Sequence, residues 1–201
     1  MHFSSDHISP KTAYKLLSST ILPRPIAFVT SQSASGQLNA APFSFFNAMG
    51  SEPPVIVIGF TPQADGSQKD TPNNILETKE FVVNLVDEPL AMQMNICAAS
   101  VPAEVSEIDL AKLETMPSLD IAPPRLTAAP VSLECRYYDD MKLSGGGRII
   151  VGEVIHFHIK DEVISNTDPL RIDVDKLSPI SRLSGSKYGR ITDQFEIQRP
   201  K

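Results

Sequence analysis

Cysteine is nearly missing from this chain: Cys97 and Cys135 are the two copies, with no CxxC spacing. That excludes a disulfide scaffold and argues against a structural zinc site. Long apolar runs are also missing, the longest being about Pro53 to Phe60, far short of a bilayer span. No basic, then apolar, then small-residue segment opens the chain, so the sequence reads as cytoplasmic, with no membrane partner. No run of Lys or Arg occurs, and 18 basic against 24 acidic residues leave a net charge of −6, which argues against nucleic acid as a partner. There is no GxGxxG and no regular alternation of strand and helix, so a doubly wound nucleotide fold is disfavoured. Internal repeats and low-complexity segments are absent as well.

What is present is ordinary globular composition, 41% hydrophobic and 21% charged over 201 residues, consistent with a single domain spanning 1–201. Proline is abundant at 17 residues, which implies many turns, strand edges and helix starts. Ser9 as N-cap and Pro10 in the first turn predict a helix over about 9–19, with an apolar stripe of Ala13, Tyr14, Leu16 and Leu17. Strands are expected at Ile26–Thr30, Leu38–Asn47, Pro53–Phe60, Glu80–Val86, Val131–Tyr138 and Arg148–Ile159, with the third buried on both faces. The Thr71-Pro72 pair predicts a further N-cap, Asp87 another, and Ser106 with Asp109 a capping box. The proline-rich stretch 116–130 reads as an ordered surface loop, Gly145–Gly147 as a hairpin turn, and the tail from about 173 as irregular. At least five strand candidates joined strand to strand, with short scattered helices, suggest a β-barrel with helices at its rim.

Two segments could carry chemistry. In KDTPNN (69–74), a helix start brings unpaired amides and the positive end of the dipole together with Lys69 and the Thr71 hydroxyl, which suits a phosphate or carboxylate. The competing reading is a capped helix beside a solvated lysine. In NAAPFSFFNAMGSEPP (39–54), small residues at Ala40, Ala41 and Ser44 admit a flat ligand. Phe43, Phe45 and Phe46 supply apolar walls, and Asn39 and Asn47 supply donors and acceptors. On pattern alone a barrel core strand with aromatic packing explains that segment better. His156 and His158 alternate along a strand, yet no further ligand is placed to complete a set, so no metal is expected. Cys97 falls on an apolar helix face, where burial outweighs reactivity.

In order, PRPIAFVTS (23–31), NAAPFSFFN (39–47), SEPPVIV (51–57), KDTPNNI (69–75), EFVVNLV (80–86), GGGRIIVGEVIHFHI (145–159) and PISRLSGSKYGRITDQFEIQRP (179–200) resemble the flavin reductase-like, FMN-binding split-barrel family. The resemblance covers nearly the whole chain. It implies a six-stranded antiparallel Greek-key split barrel with short peripheral helices, and a homodimer with FMN near the subunit interface. It places Thr30, Ser31, Asn39, Ala40, Ala41, Ser44, Phe45 and Phe46 along the flavin, and Lys69, Asp70 and Thr71 at the ribityl phosphate, in agreement with the helix-start argument. The position just after the glycine run, a histidine in several reductases of the wider family, is Arg148 here. NADH or NADPH would approach one open flavin face, with Arg148, His158, Tyr188 and Arg190 expected on that side. For Arg148 and Arg190, surface or interface ion pairs are the competing reading. Hydride transfer needs no side-chain acid or base, so no catalytic residue is nominated. The function implied is an NAD(P)H-dependent flavin reductase-like oxidoreductase. The alternatives are an FMN-containing electron carrier reduced by a partner protein and a non-catalytic flavin-binding module.

Overall fold

In the computed structural model, residues 1–63, 65–99, 101–102 and 105–200 are described. Helix α1 (Pro10–Thr20) opens on the expected cap, with the Ser9 hydroxyl accepting from the Thr12 amide at 3.2 Å. The main sheet contains β1 (Ala27–Gln32), β2 (Leu38–Phe43), β3 (Phe46–Ser51), β4 (Pro54–Phe60), β5 (Glu80–Leu85), β8 (Val131–Lys142) and β9 (Arg148–Ile159). Helix α2 (Asp70–Thr78) lies between β4 and β5. Helices α3 (Ala91–Ile96) and α4 (Glu107–Leu110) and the small strands β6 (Thr115–Met116) and β7 (Arg125–Leu126) fill the crossover from β5 to β8. The hairpin β10 (Ile164–Thr167) and β11 (Leu170–Ile172), helix α5 (Val174–Leu177), and the hairpin β12 (Ile180–Arg182) and β13 (Tyr188–Arg190) complete the chain.

The sheet has seven strands, ordered β2-β1-β5-β8-β9-β4-β3, and its pairings are antiparallel. The expected count was six. The difference arises at Ser44 and Phe45, where the single strand expected over 38–47 breaks into β2 and β3. These two are the sheet's opposite edges, so two residues of chain carry the backbone from one edge to the other and curl the sheet into a barrel. The Gly59 amide donates to the Phe45 carbonyl at 2.7 Å, extending the β3–β4 pairing into this turn. A Cβ on Gly59 would lie 3.1 Å from the Phe45 Cβ, so the close approach depends on glycine there.

One buried cluster fills the barrel: Ala27, Val29, Ile56, Ile58, Phe60, Phe81, Val83, Leu133, Ile150 and Val154 are among its members. Packing is tight enough that a Cβ on Gly152 would meet the Phe81 ring at 2.4 Å. A second cluster lies outside the sheet, where Phe28 and Ala40 pack under Leu90, Met94 and Cys97 of the α3 region, Ile108 of α4 and Leu126. Strand β4 is buried on its inner face alone, with Ile56, Ile58 and Phe60 inward and Val55, Val57 and Gly59 half-exposed. Burial on both faces is therefore corrected: in an antiparallel barrel only the inner face is enclosed.

The tail is more ordered than its sequence suggested. The β12–β13 hairpin bridges back to Arg24 and Asp87, and regular structure stops only after Arg190. Among the described residues no helix is long and apolar enough to cross a membrane.

Candidate functional site

Helix α2 starts two residues earlier than the Thr71-Pro72 signal implies. Lys69 is the N-cap residue, without a capping side-chain bond, and Thr71 sits buried inside the first turn. The Asp70 and Thr71 amides form no hydrogen bond among the described residues, as the first donors of a helix do not. The Thr71 oxygen accepts from Asn39 Nδ2 at 2.9 Å, which leaves its own proton without an acceptor among the described residues. The Lys69 ammonium enters no ion pair among them and stands 5.6 Å from the centre of the Phe43 ring.

These groups line a cavity of about 240 Å³ with Asn39, Ala41, Pro42, Phe43, Ala98 and Glu107. Pro42, Phe43, Lys69 and Ala98 also line a second cavity of about 210 Å³, which runs on past Ser44, Phe45, Tyr14, Asn95, Arg182 and Tyr188. The two share these residues and run as one cleft along β2, an edge strand of the sheet, past Ala98 beyond the end of α3. Along it β2 supplies the small side chains of Ala41 and Pro42, which leave room for a ligand beside the strand. Asn39, Asp70 and Glu107 open onto a further recess by the β1–β2 turn.

The electrostatics are uneven. Glu107, which sequence reasoning missed, is buried, and its carboxylate accepts from the Ala40 amide at 3.3 Å. Burial pushes its carboxyl above the usual range, and nearby Asp70 adds to the rise. With two carboxyls at this end, an anion is favoured only where Lys69 and the α2 amides converge. Cys97 donates to the Glu107 carbonyl at 3.4 Å. Burial, then Glu107, pushes its thiol up to about 12, so it is no nucleophile at neutral pH.

The structure brings together Asn39, Ala41, Ser44, Phe45, Lys69, Asp70, Thr71 and Tyr188 along this cleft. Others lie apart. Thr30 is fully buried on the outer sheet face, donating to the Pro124 carbonyl at 2.6 Å. Ser31 accepts from Asn74 of α2 at 3.1 Å. Ala40 offers its amide to Glu107, as above. Phe46 faces a separate apolar cavity of about 290 Å³ beside Leu17, Ile21, Pro23 and Pro25. Arg148 is paired with Asp140, and Arg190 with Glu88. His158 bonds Glu134 at 2.6 Å, and His156 bonds Asp120 at 2.7 Å. The two imidazoles are thus spent on separate carboxylates, and among the described residues no three His, Cys, Asp or Glu converge as a metal would require.

Tyr14, Asn95, Ala98 and Arg182 were not foreseen. The first lies on the helix read only as carrying an apolar stripe, and the last lies in the tail read as irregular. Neither signal pointed to a cleft.

Residues 18–176 match the flavin reductase like domain. The chain belongs to the flavin reductase-like family. It resembles nitrilotriacetate monooxygenase component B from Bacillus cereus with a TM-score of 0.92 and 36% identity, covering 98% of both chains. It is equally similar in sequence, 36%, to the 2-nitrobenzoate 2-nitroreductase NbaA of Pseudomonas fluorescens, with a TM-score of 0.90 over 100% of this chain and 96% of that one. A protein with a split barrel domain from Shewanella frigidimarina aligns over 100% of both chains with a TM-score of 0.85 at 19% identity, which identifies the fold as a split barrel.

Proposed function

We propose that the chain binds FMN in this cleft and acts as an NAD(P)H-dependent oxidoreductase of the flavin reductase kind, working as a homodimer. The observation that carries the reading is the meeting, in one cleft, of a helix start with unspent donors and the small and apolar residues along β2.

The fit is chemical as well as spatial. Lys69, the amides of Asp70 and Thr71 and the free Thr71 proton would hold the phosphate, which selects FMN over riboflavin. Asn39, fixed by its bond to Thr71, and the backbone of β2 would meet the polar edges of the ring system. Ala41, Pro42 and Phe43 would pack along it. Bound flavin supplies two-electron acceptance and donation. The protein's part is to hold the donor and acceptor in register and to keep one side of the cleft open, toward Tyr188 and Arg182, for a nicotinamide. No side chain needs to move a proton for this. The relatives at 36% identity, a monooxygenase component and a nitroreductase, support an oxidoreductase.

The test is the visible absorption of the protein with FMN, before and after anaerobic addition of NADH or NADPH. Flavin absorption that is bleached by a dinucleotide is the expected result. Bound flavin reduced by neither dinucleotide, but by a partner reductase, would replace the enzyme with an electron carrier. Bound flavin reduced by none of these would mark a binding module, and a failure to bind flavin would overturn the reading.

A further inference from the structure

Glu107 places a carboxyl beside a site that suits an anion. It is buried at the start of α4, next to β2, and enters no ion pair among the described residues. Among them, one hydrogen bond reaches the carboxyl from another residue, that of the Ala40 amide at 3.3 Å. A buried carboxylate is ordinarily matched by a cation or by several donors. Glu134 is so matched, by two loop amides and His158, and Glu107 is not. Glu107 lines both the cavity that holds Lys69, Asp70 and Thr71 and the recess of about 370 Å³ by the β1–β2 turn. The other titratable groups lining those two spaces are Asp70, Lys69 and Cys97. The Lys69 ammonium has no room for a further proton. The Cys97 thiol, pushed up to about 12, keeps the proton it has. Asp70 is a second carboxyl, but it is half-buried where Glu107 is buried. Burial first, and then the charge of Asp70, lifts Glu107 above the usual carboxyl range. A phosphate brought alongside adds negative charge and acts in the same direction.

We propose that Glu107 is a specificity-determining residue of the cleft: its carboxylate takes up one proton from solvent when the flavin phosphate enters, so that FMN is held together with a proton. This rests on the FMN binding proposed above. One proton leaves the buffer, one O–H bond forms on the carboxylate, and nothing is oxidised or reduced. An ionised Glu107 beside a phosphate sets two like charges in a site partly shielded from water, where they repel more than they would in bulk solvent. Protonation removes that charge and turns an acceptor oxygen into a donor, which a phosphate can use. Lys69 and the α2 amides attract the phosphate throughout the neutral range, whereas the help from Glu107 is lost as pH rises. The complex then binds more protons than the free protein, so FMN affinity falls as pH rises between the free and the FMN-bound values of Glu107. Riboflavin has the same ring and no phosphate, so it brings no such change. Discrimination between the two flavins therefore shrinks as pH rises through that window.

The experiment is calorimetric titration of the full chain with FMN and with riboflavin, from about pH 5.5 to about pH 8.5, in pairs of buffers of different ionisation heat, which counts the protons taken up per flavin. Wild type is compared with Glu107→Gln and Asp70→Asn. Glutamine has the shape of the carboxyl, keeps an oxygen for the Ala40 amide and stands in for the protonated acid at every pH. The second ionisation of the phosphate, near about pH 6, is common to all three proteins, so differences between them isolate the carboxyls. Wild type should take up as much as about one proton more per FMN than Glu107→Gln does, with no such difference for riboflavin. Asp70→Asn should keep the uptake. At about pH 8.5, Glu107→Gln should bind FMN several-fold more tightly than wild type does, with riboflavin affinity unchanged. Equal proton counts in wild type and Glu107→Gln overturn the proposal, as does weaker FMN binding by that variant at about pH 8.5, or uptake lost in Asp70→Asn instead. If circular dichroism shows Glu107→Gln unfolded, wild type alone decides: FMN that takes up no more protons than riboflavin at every pH overturns the coupling. A wild type that binds neither flavin removes the FMN reading and this one with it, whereas both flavins bound without a difference in protons removes the coupling alone.

Discussion

At the scale of single residues, Lys69 carries the sharpest consequence. Its side chain is exposed at the start of α2, so water screens it and its contact with a phosphate contributes about 1 kcal/mol or less. The buried groups around it, Thr71 and the helix amides, then hold the larger share. Lys69→Ala should weaken FMN about fivefold and leave riboflavin binding nearly unchanged, measured by quenching of flavin fluorescence. Equal loss for both flavins would move the phosphate elsewhere. Much at this scale was legible in the sequence. Proline after threonine with a preceding lysine marked the α2 start to within two residues, and small residues of β2 lie along the cleft. The rest was not, because it depends on partners far along the chain. Nothing local says that the Thr30 hydroxyl is spent on Pro124, or that Glu107 comes 67 positions along to meet the Ala40 amide.

Elements were legible where capping chemistry speaks locally. Ser9 and Ser106 accept from the amides three residues on, as their sequence pattern predicts; Asp87 accepts from the Leu90 amide only in the turn before α3, whose N-cap residue is Leu90 without a capping side chain, so the helix expected to start at Asp87 starts later. The β2–β3 break was not legible, because Phe43, Phe45 and Phe46 keep a strand-like composition across the bend and only the barrel's closure turns the chain there. The ordered 116–130 loop has a latch of its own. Fully buried Glu134 on β8 accepts from the amides of Leu119 and Asp120 at 2.7 and 3.1 Å and bonds His158, while Asp120 bonds His156. Burial pushes the Glu134 carboxyl up, but those amides and then His158 outweigh it and hold it below the usual range. The hydrogen bond from His156 holds Asp120 low as well. Both carboxyls are thus lower folded than unfolded, so their stabilisation is complete above the unfolded values, roughly 4. It drains away as pH falls through the folded values. The urea midpoint should therefore drop on acidification below about pH 4. In Glu134→Gln an amide NH₂ faces one of the loop amides, which should cost about 2 kcal/mol at neutral pH and flatten the acid dependence. An unaltered acid limb in that variant would show that the latch does not set it.

At the scale of the whole molecule, the split barrel leaves one flank uncovered. The stripe of α1 that the sequence marked as apolar does not reach the core. Tyr14, Leu17 and Ile21 are 51%, 50% and 60% exposed, and Met49 on the neighbouring edge strand β3 is 61% exposed. The cavity beside Phe45 and Phe46 opens onto the same flank. The sequence marked Tyr14 and Leu17 as apolar, and the single chain leaves both exposed. In the homodimer proposed above a second copy would bury this flank, because an isologous contact presents the same flank to itself, and a patch of this kind is uncommon on a monomer. The contact would also run beside Tyr14, Ser44 and Phe45, placing the interface next to the cleft. Sedimentation should show a species near twice 21.9 kDa. Leu17→Glu with Ile21→Glu, one helical turn apart and both already half or more in water, should leave the barrel folded and shift the protein to the monomer. Charge placed on an apolar contact costs its desolvation on both sides of the two-fold. FMN binding then reports whether the interface completes the cleft: weaker FMN in the monomeric variant means that the partner lines it, and unchanged FMN means that each chain holds its flavin alone. A wild-type protein that sediments as a single 21.9 kDa species with flavin bound would remove the dimer and leave the exposed flank for another partner.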